Sequence, residues 1–256
     1  ADRYISLEDN VALPLLYMAF PTVSVYHPDE APLDVLMFVL GVGENSLLYK
    51  NMVKNQLAVQ ANANHGCEEL ACSFTIVALP NPAAGKTLAD LEKIARDSLV
   101  EFESRGATDD DVERVKMSIV SGMIFGLESV SGKVSRLAMY ETFTGDPAYT
   151  RTDIARYENV TRDDVMRVYR KYILGKPSVV MSIVPRGRGV PPAKPDTWQR
   201  YERTLPAYKP IAASDLDVRR ATDTFDRNVI PPGGPNPSVS LPVIWREKLA
   251  NQVPVL

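Results

Sequence analysis

Histidine and cysteine are scarce in this chain: two of each among 256 residues. Two cysteines cannot build a disulfide-rich scaffold. Two histidines are few for a metal site made of several imidazoles. A self-contained zinc enzyme would have to draw on both His, both Cys or the carboxylates. No charge of one sign dominates: 29 Lys+Arg stand against 32 Asp+Glu, for a formal charge of −3. That balance leaves no electrostatic footprint for nucleic acid or an anionic membrane. No apolar run reaches the roughly 18–20 residues that a membrane span needs. The longest candidate, Ala12 to Phe20, is of strand length. The start, Ala1-Asp2-Arg3-Tyr4, has neither Met nor a basic-then-apolar signal, so a mature protein or an excised piece is expected and no compartment is read from it.

What is present is an ordinary apolar fraction, 45%, enough for one large domain or two small ones with a buried core. The prolines are uneven. Of the 20, twelve follow Val184, with Pro231-Pro232-Gly233-Gly234-Pro235 as the strongest break. Proline fixes φ and removes a donor, so regular helix or central strand is not expected there. Three segments are therefore expected: a compact domain over 1–186, a Pro-rich linker over 187–244, and the start of a further unit at 245–256. Scattered apolar residues after Arg186 (Trp198, Tyr201, Leu205, Tyr208, Ile211, Leu216, Phe225, Trp245) imply that the linker packs on the domain.

Before Arg186 the pattern predicts an α+β fold, with strands and helices in segregated runs. Ala12–Phe20 reads as a buried strand. Leu33, Leu36, Met37 and Leu40 fall on one helix face, opened by Pro28 and Pro32 and stopped by Gly41 and Gly43. A short helix is expected over 46–54. Leu57, Val59, Ala61 and Ala63 alternate with polar neighbours, as do Cys72, Phe74, Ile76 and Ala78, which predicts a hairpin with its turn at Asn64-His65-Gly66. Helices are expected over 87–104, from Thr108 through Met123, over 131–143, and from Thr161 through Tyr172. A last strand is expected over 178–184. Thr108 and Thr161 are read as N-caps.

Five groups of residues could carry chemistry. Gly85-Lys86-Thr87 looks like the tail of a phosphate loop, but Pro80 stands where the leading Gly belongs and Pro82 removes an amide. Gly41-Val42-Gly43 follows a helix, the reverse of a dinucleotide-binding context, and has Ser46 where a third Gly is needed. His65, Cys67 and Cys72 offer three soft ligands, with Glu68 or Glu69 as a fourth. The alternative is that Cys72 is a small buried hydrophobe. His27-Pro28-Asp29-Glu30-Ala31 approaches the inverted zinc motif His-x-x-Glu-His, but Ala31 replaces the second His. It reads instead as a helix start with acids near the positive dipole end. Ser131 and Lys133 near Glu128 lack the spacing of a serine–lysine nucleophile.

Other stretches carry a resemblance. Leu13-Pro14-Leu15-Leu16-Tyr17-Met18-Ala19-Phe20-Pro21, His27-Pro28-Asp29, Leu33-Asp34-Val35-Leu36, Leu40-Gly41-Val42-Gly43, Ser46-Leu47-Leu48-Tyr49 and Gly106-Ala107-Thr108 follow one another in order. Together, over roughly residues 1–186, they resemble the non-catalytic half of a pitrilysin/insulinase-type zinc metallopeptidase. The resemblance implies a fold like that of mitochondrial processing peptidase: a mixed, largely antiparallel sheet packed against several helices, the metallohydrolase-like α/β sandwich. It implies a partner half carrying His-x-x-Glu-His and the zinc, with unfolded peptide enclosed between the halves. It implies no catalytic, cofactor-binding or metal-binding residue in this chain. Active members place a substrate-holding Arg and Tyr in a C-terminal half. Here those positions fall on Met52 and Val59, which cannot donate a hydrogen bond through their side chains. Tyr49, Lys50 and Lys54 lie nearby and take no role. Trp245-Arg246-Glu247-Lys248-Leu249-Ala250-Asn251, then Val253 and Val255, resemble the first strand of another catalytic-type half, so a middle piece of a longer polypeptide is expected.

The functional expectation is thus a chamber-forming, non-catalytic domain of a zinc endopeptidase. Its partner would be a catalytic half in the same polypeptide or in another subunit. A pure assembly scaffold is the alternative, and a nucleotide-binding domain, resting only on Gly85-Lys86-Thr87, is the remaining one.

Overall fold

Alternation builds the centre of the sheet, broken only at Thr75, which is also buried. In β2 (Leu15–Pro21), Leu16, Met18 and Phe20 are buried. In β4 (Cys72–Pro80), Cys72, Phe74, Ile76 and Ala78 are buried in the same way. The two strands pair antiparallel, Met18 opposite Ile76 and Phe20 opposite Phe74, so both apolar rows point to one side. The expected strand loses residues 12–14, where Pro14 has no amide to give to a ladder.

The computed structural model describes residues 1–198 and, beyond them, 204, 207, 211–212, 226, 228–229, 234, 247–250 and 254–255. The chain divides into two units, Ala1–Glu202 and Arg203–Leu256. The first carries a five-stranded sheet in the order β1-β5-β2-β4-β3. Here β1 is Arg3–Asp9, β3 is Ala58–Cys67 and β5 is Val179–Pro185. Only β1 and β5 run parallel; the other three pairings are antiparallel. The α+β expectation, with a mixed and largely antiparallel sheet against helices, is borne out. In the second unit, β6 (Glu247–Lys248) pairs with β7 (Pro254–Val255). The expectations placed on Tyr201, Leu205, Tyr208, Leu216, Phe225, Pro231–Gly233, Pro235, Trp245, Arg246, Asn251 and Val253 lie outside the described residues.

The described residues form six α-helices: α1 (Glu30–Gly41) between β2 and β3, and α2 (Leu88–Arg105), α3 (Asp109–Phe125), α4 (Val130–Thr144), α5 (Thr150–Glu158) and α6 (Arg162–Tyr172) between β4 and β5. Three threonines cap them: the side chains of Thr87, Thr108 and Thr161 accept the amides of Asp90, Asp111 and Asp164. At Thr87 and Thr161 the aspartate returns the bond, completing a capping box. Helices α1 and α2 cover the apolar sheet face, and α3, α5 and α6 pack on α1. Sandwiched in this way, α1 buries Leu33, Val35, Leu36, Val39 and Leu40. The approach to β3 is close. A Cβ on Gly41 would fall 2.1 Å from the Ala63 amide nitrogen, so the backbones meet where only glycine fits. On the other face, Leu15, Tyr17, Ala19, Val77 and Met181 are half-buried. No helix among the described residues is long and apolar enough to cross a membrane.

Four details correct the sequence expectation. Strand β1 was not expected: its parallel partner lies more than 170 residues downstream, Tyr4 opposite Val180, and only Tyr4 is buried, so no local pattern marks it. Helix α5 has no capping side chain and a polar sequence, which hides its period. The short helix expected over 46–54 is a π-helical turn, Tyr49–Val53, preceded by Ser46 bonding back to the Gly43 carbonyl. The hairpin is present, but its turn is 68–71, not 64–66: His65 lies inside β3, buried opposite Phe74.

After β5 the chain stays on the sheet. The Arg186 amide donates to the Asp9 carbonyl, Ala193 N–H to Ser182 Oγ, and Thr197 N–H to the Tyr4 carbonyl.

Candidate functional site

The N-terminus of α1 was the sequence position nearest to a zinc motif. In the fold Asp29 is the residue before the first turn, and its carboxylate is fully engaged. Arg167 Nη1 donates to Oδ1 at 2.6 Å, while Lys171 Nζ and the Tyr172 hydroxyl donate to Oδ2 at 2.8 and 2.7 Å. Burial works to raise its pKa, but the hydrogen bonds from Lys171, Tyr172 and Arg167 outweigh it and hold the carboxyl well below the usual carboxylate range. Glu30 accepts from Arg156 at 2.6 Å, and Arg156 also reaches Asp153 at 2.8 Å. Asp153 in turn accepts from the buried Tyr140 hydroxyl at 2.9 Å. Burial raises the Glu30 pKa, and Arg156 opposes that rise. Tyr26, packed edge-on against Tyr149, is pushed up to about 12, first by burial and then by Asp153 and Glu30. This is an ionic clasp of buried acids that joins the start of α1 to α5 and α6. It does not fit a catalytic zinc: Ala31 offers no donor, and Glu30 is committed to Arg156 rather than to a water.

A second cluster lies where α1 crosses β3. His65 Nδ1 is 2.7 Å from Asp34 Oδ1, and His65 Nε2 is 2.9 Å from Thr22 Oγ1. The other Asp34 oxygen accepts from the Tyr157 hydroxyl at 2.6 Å. Burial, then the Asp34 charge, pushes the Tyr157 pKa far above its ordinary value, so the phenol stays a donor. A carboxylate only accepts, so His65 Nδ1–H donates to Asp34 and leaves Nε2 to face Thr22. Beside the ring, Cys67 and Cys72 are joined as a disulfide, with Cys67 Sγ 3.8 Å from both ring nitrogens. In the oxidised state these sulfurs are not thiolates, so the three-ligand reading does not hold there. Cys72 is buried, as the small-hydrophobe reading expected, and it is also bonded to Cys67. Sequence reasoning missed this pairing, and also Thr22, Asp34 and Tyr157. A four-residue turn between two cysteines at the ends of paired strands was the available signal.

The other candidates take structural roles. Gly85, at φ +60°, ends a short 3₁₀ turn, and Thr87 caps α2. Gly41 serves helix–strand packing. Ser129, not Ser131, caps α4 by accepting the Gly132 amide. Met52 is buried, whereas Val59 is exposed on β3.

One surface feature has no counterpart in the sequence reading. On α4, Val130, Val134 and Leu137 are 77%, 60% and 49% exposed at helical spacing. On α3, Met117, Ile124 and Phe125 are exposed as well. Among the described residues of α4 only Tyr140 is buried. These side chains leave apolar surface open to water at helical spacing.

Comparison with known proteins agrees with this picture. Residues 1–119 match the family model described as the peptidase M16 inactive domain. An uncharacterized zinc protease of Streptomyces coelicolor is 26% identical over 148 residues, 57% of this chain and 32% of that protein. The chain thus spans about a third of the curated relative's length. A protease from Helicobacter pylori has the same fold, with a TM-score of 0.64 at 22% identity over 72% of this chain and 44% of that one. The M16 inactive domain from Pseudomonas fluorescens superposes with a TM-score of 0.60 at 16% identity, over 72% of this chain and 43% of that one.

Proposed function

We propose, from the match of residues 1–119 to the M16 inactive-domain model, that the chain is a non-catalytic wall of a peptide chamber, completed by a partner half that holds zinc on His-x-x-Glu-His. The observation that carries the partner is the run of exposed apolar residues on α4, Val130, Val134 and Leu137, with Met117, Ile124 and Phe125 exposed on α3. The ionic clasp at α1 supports the division of labour: the acids that approximate a metal motif here are spent on holding helices together. In this reading no residue of the chain is catalytic. Residues 187–244 join the unit to the next, which opens at 245–256. The physical gain is proximity. A closed chamber holds an extended peptide beside the partner's metal and keeps large folded proteins out.

The test is reconstitution. The parent reading frame supplies a half with His-x-x-Glu-His; that half is expressed with and without this chain and assayed on an unfolded peptide. Chelator-sensitive cleavage that requires both supports the chamber. Cleavage by this chain alone, or a catalytic half indifferent to it, overturns the proposal. A parent with no His-x-x-Glu-His would make the chain a scaffold instead.

A further inference from the structure

We infer that Cys67, Cys72 and His65 form a redox-gated site for a thiophilic divalent cation of the zinc type, closed while the two sulfurs are bonded and open once they are reduced. The three donor atoms lie within 4.8 Å of one another. Tetrahedral zinc, with sulfur at about 2.3 Å and nitrogen at about 2.0–2.1 Å, needs its donors roughly 3.5–3.8 Å apart. Cys67 Sγ is already 3.8 Å from His65 Nε2. The strand register sets Cys67 directly opposite Cys72 at the turn end of the hairpin. There the exposed turn 68–71 leaves room for the side chains to rotate to thiolate spacing.

The histidine is oriented for the task. Asp34 accepts from Nδ1–H, and Tyr157 holds the other carboxylate oxygen in place. That arrangement leaves the Nε2 lone pair as the free donor, now occupied by the Thr22 hydroxyl at 2.9 Å. A carboxylate behind a histidine is the support that metal-ligating imidazoles use. Coordination exchanges one hydroxyl for the cation. His65 and Cys72 are both buried, which keeps competing water off two of the three ligands.

The chemistry balances through a dithiol reductant. The Cys67–Cys72 bond takes up two electrons and two protons as the dithiol becomes its own disulfide. Binding of the divalent cation then releases the two thiol protons. The site uses none of the residues at the start of α1, and it does not depend on the chamber reading.

The experiment uses the full chain, reduced with a phosphine and desalted without oxygen, with Zn²⁺ and Co²⁺ as probes. Zinc uptake is followed by competition with a chromophoric chelator. Cobalt reports its ligands directly through a sulfur-to-metal charge-transfer band and the intense visible bands of a tetrahedral site. One equivalent of zinc in the reduced chain, none in the oxidised chain, and a thiolate cobalt spectrum are expected. H65Q should weaken zinc binding at least tenfold, and D34N about 10- to 100-fold. C67S and C72S should each abolish the cobalt charge-transfer signature of a two-thiolate site. No uptake by the reduced wild-type chain overturns the site, as does equal uptake by the oxidised chain or a cobalt spectrum unchanged in H65Q. Because the wild-type spectra need no variant, a substitution that unfolds the chain leaves the test intact, and metal stoichiometry is read without any peptide cleavage.

Discussion

Asp34 holds His65: Oδ1 of the helix residue sits 2.7 Å from Nδ1 of the strand residue, and the same carboxylate accepts from Tyr157. One side chain therefore ties α1 to β3 and to α5. Asp34→Ala leaves a buried imidazole N–H and a buried phenol without partners, and should cost about 2–3 kcal/mol. Tyr157→Phe removes one donor and should cost about 1 kcal/mol. Urea denaturation is the check: both midpoints fall with the slope unchanged, Asp34→Ala by more.

Two helical glycines should respond to alanine with opposite signs. Gly41→Ala drives a methyl into the Ala63 backbone, which cannot give way without moving β3, and should cost about 2–4 kcal/mol. Gly122, inside α3, has open space around it, so Gly122→Ala should stabilise by about 0.5–1 kcal/mol through helix propensity. Thermal melts of the two variants decide this. A destabilised Gly122→Ala or a neutral Gly41→Ala contradicts the packing described.

Acid sensitivity should depend on Asp29. Its folded pKa is depressed below the ordinary 3.8. The unfolded chain therefore takes up the proton first as pH falls. The stability linked to Asp29 is complete above about pH 4 and is lost progressively below it. Asp29→Asn should destabilise at pH 7, by about 1–2 kcal/mol because Arg167 and Lys171 can rehydrate. It should also flatten the pH dependence between about 4 and 2 relative to wild type. Parallel urea titrations across pH measure the difference, and Glu30, present in both proteins, cancels.

The exposed helix face should matter for association and not for folding. Leu137→Glu and Val134→Lys sit on the open side of α4, so each should change stability by less than about 0.5 kcal/mol. Both should weaken binding to the catalytic half in a pull-down or by calorimetry. A large loss of melting temperature would mean that the face packs within this chain instead.

Much of the fold was legible because it is local. The alternation of β2 and β4, the apolar face of α1 and the threonine caps at residues 87, 108 and 161 are written in spacings of two to four residues. The order of short motifs through Tyr49 was enough to suggest the inactive M16-type half, which the family match supports. What was illegible is non-local or unpatterned. Strand β1 is defined by a ladder with β5, and α5 has neither a cap nor a clear apolar stripe.

By itself the sequence determined the class of fold, the capped helices, and the lack of the second histidine that a His-x-x-Glu-His site at α1 would need, since Ala31 stands there. Those follow from residue type and short-range spacing. Only the tertiary structure decided that Asp29 and Glu30 are consumed by Arg167, Lys171 and Arg156, more than 120 residues away in the chain. It alone paired Cys67 with Cys72 and placed Asp34 and Thr22 on the two nitrogens of His65. The reason is physical: a charge, a sulfur or an imidazole takes its role from the partner within bonding distance, and in this molecule that partner is set by which helix lies on which strand.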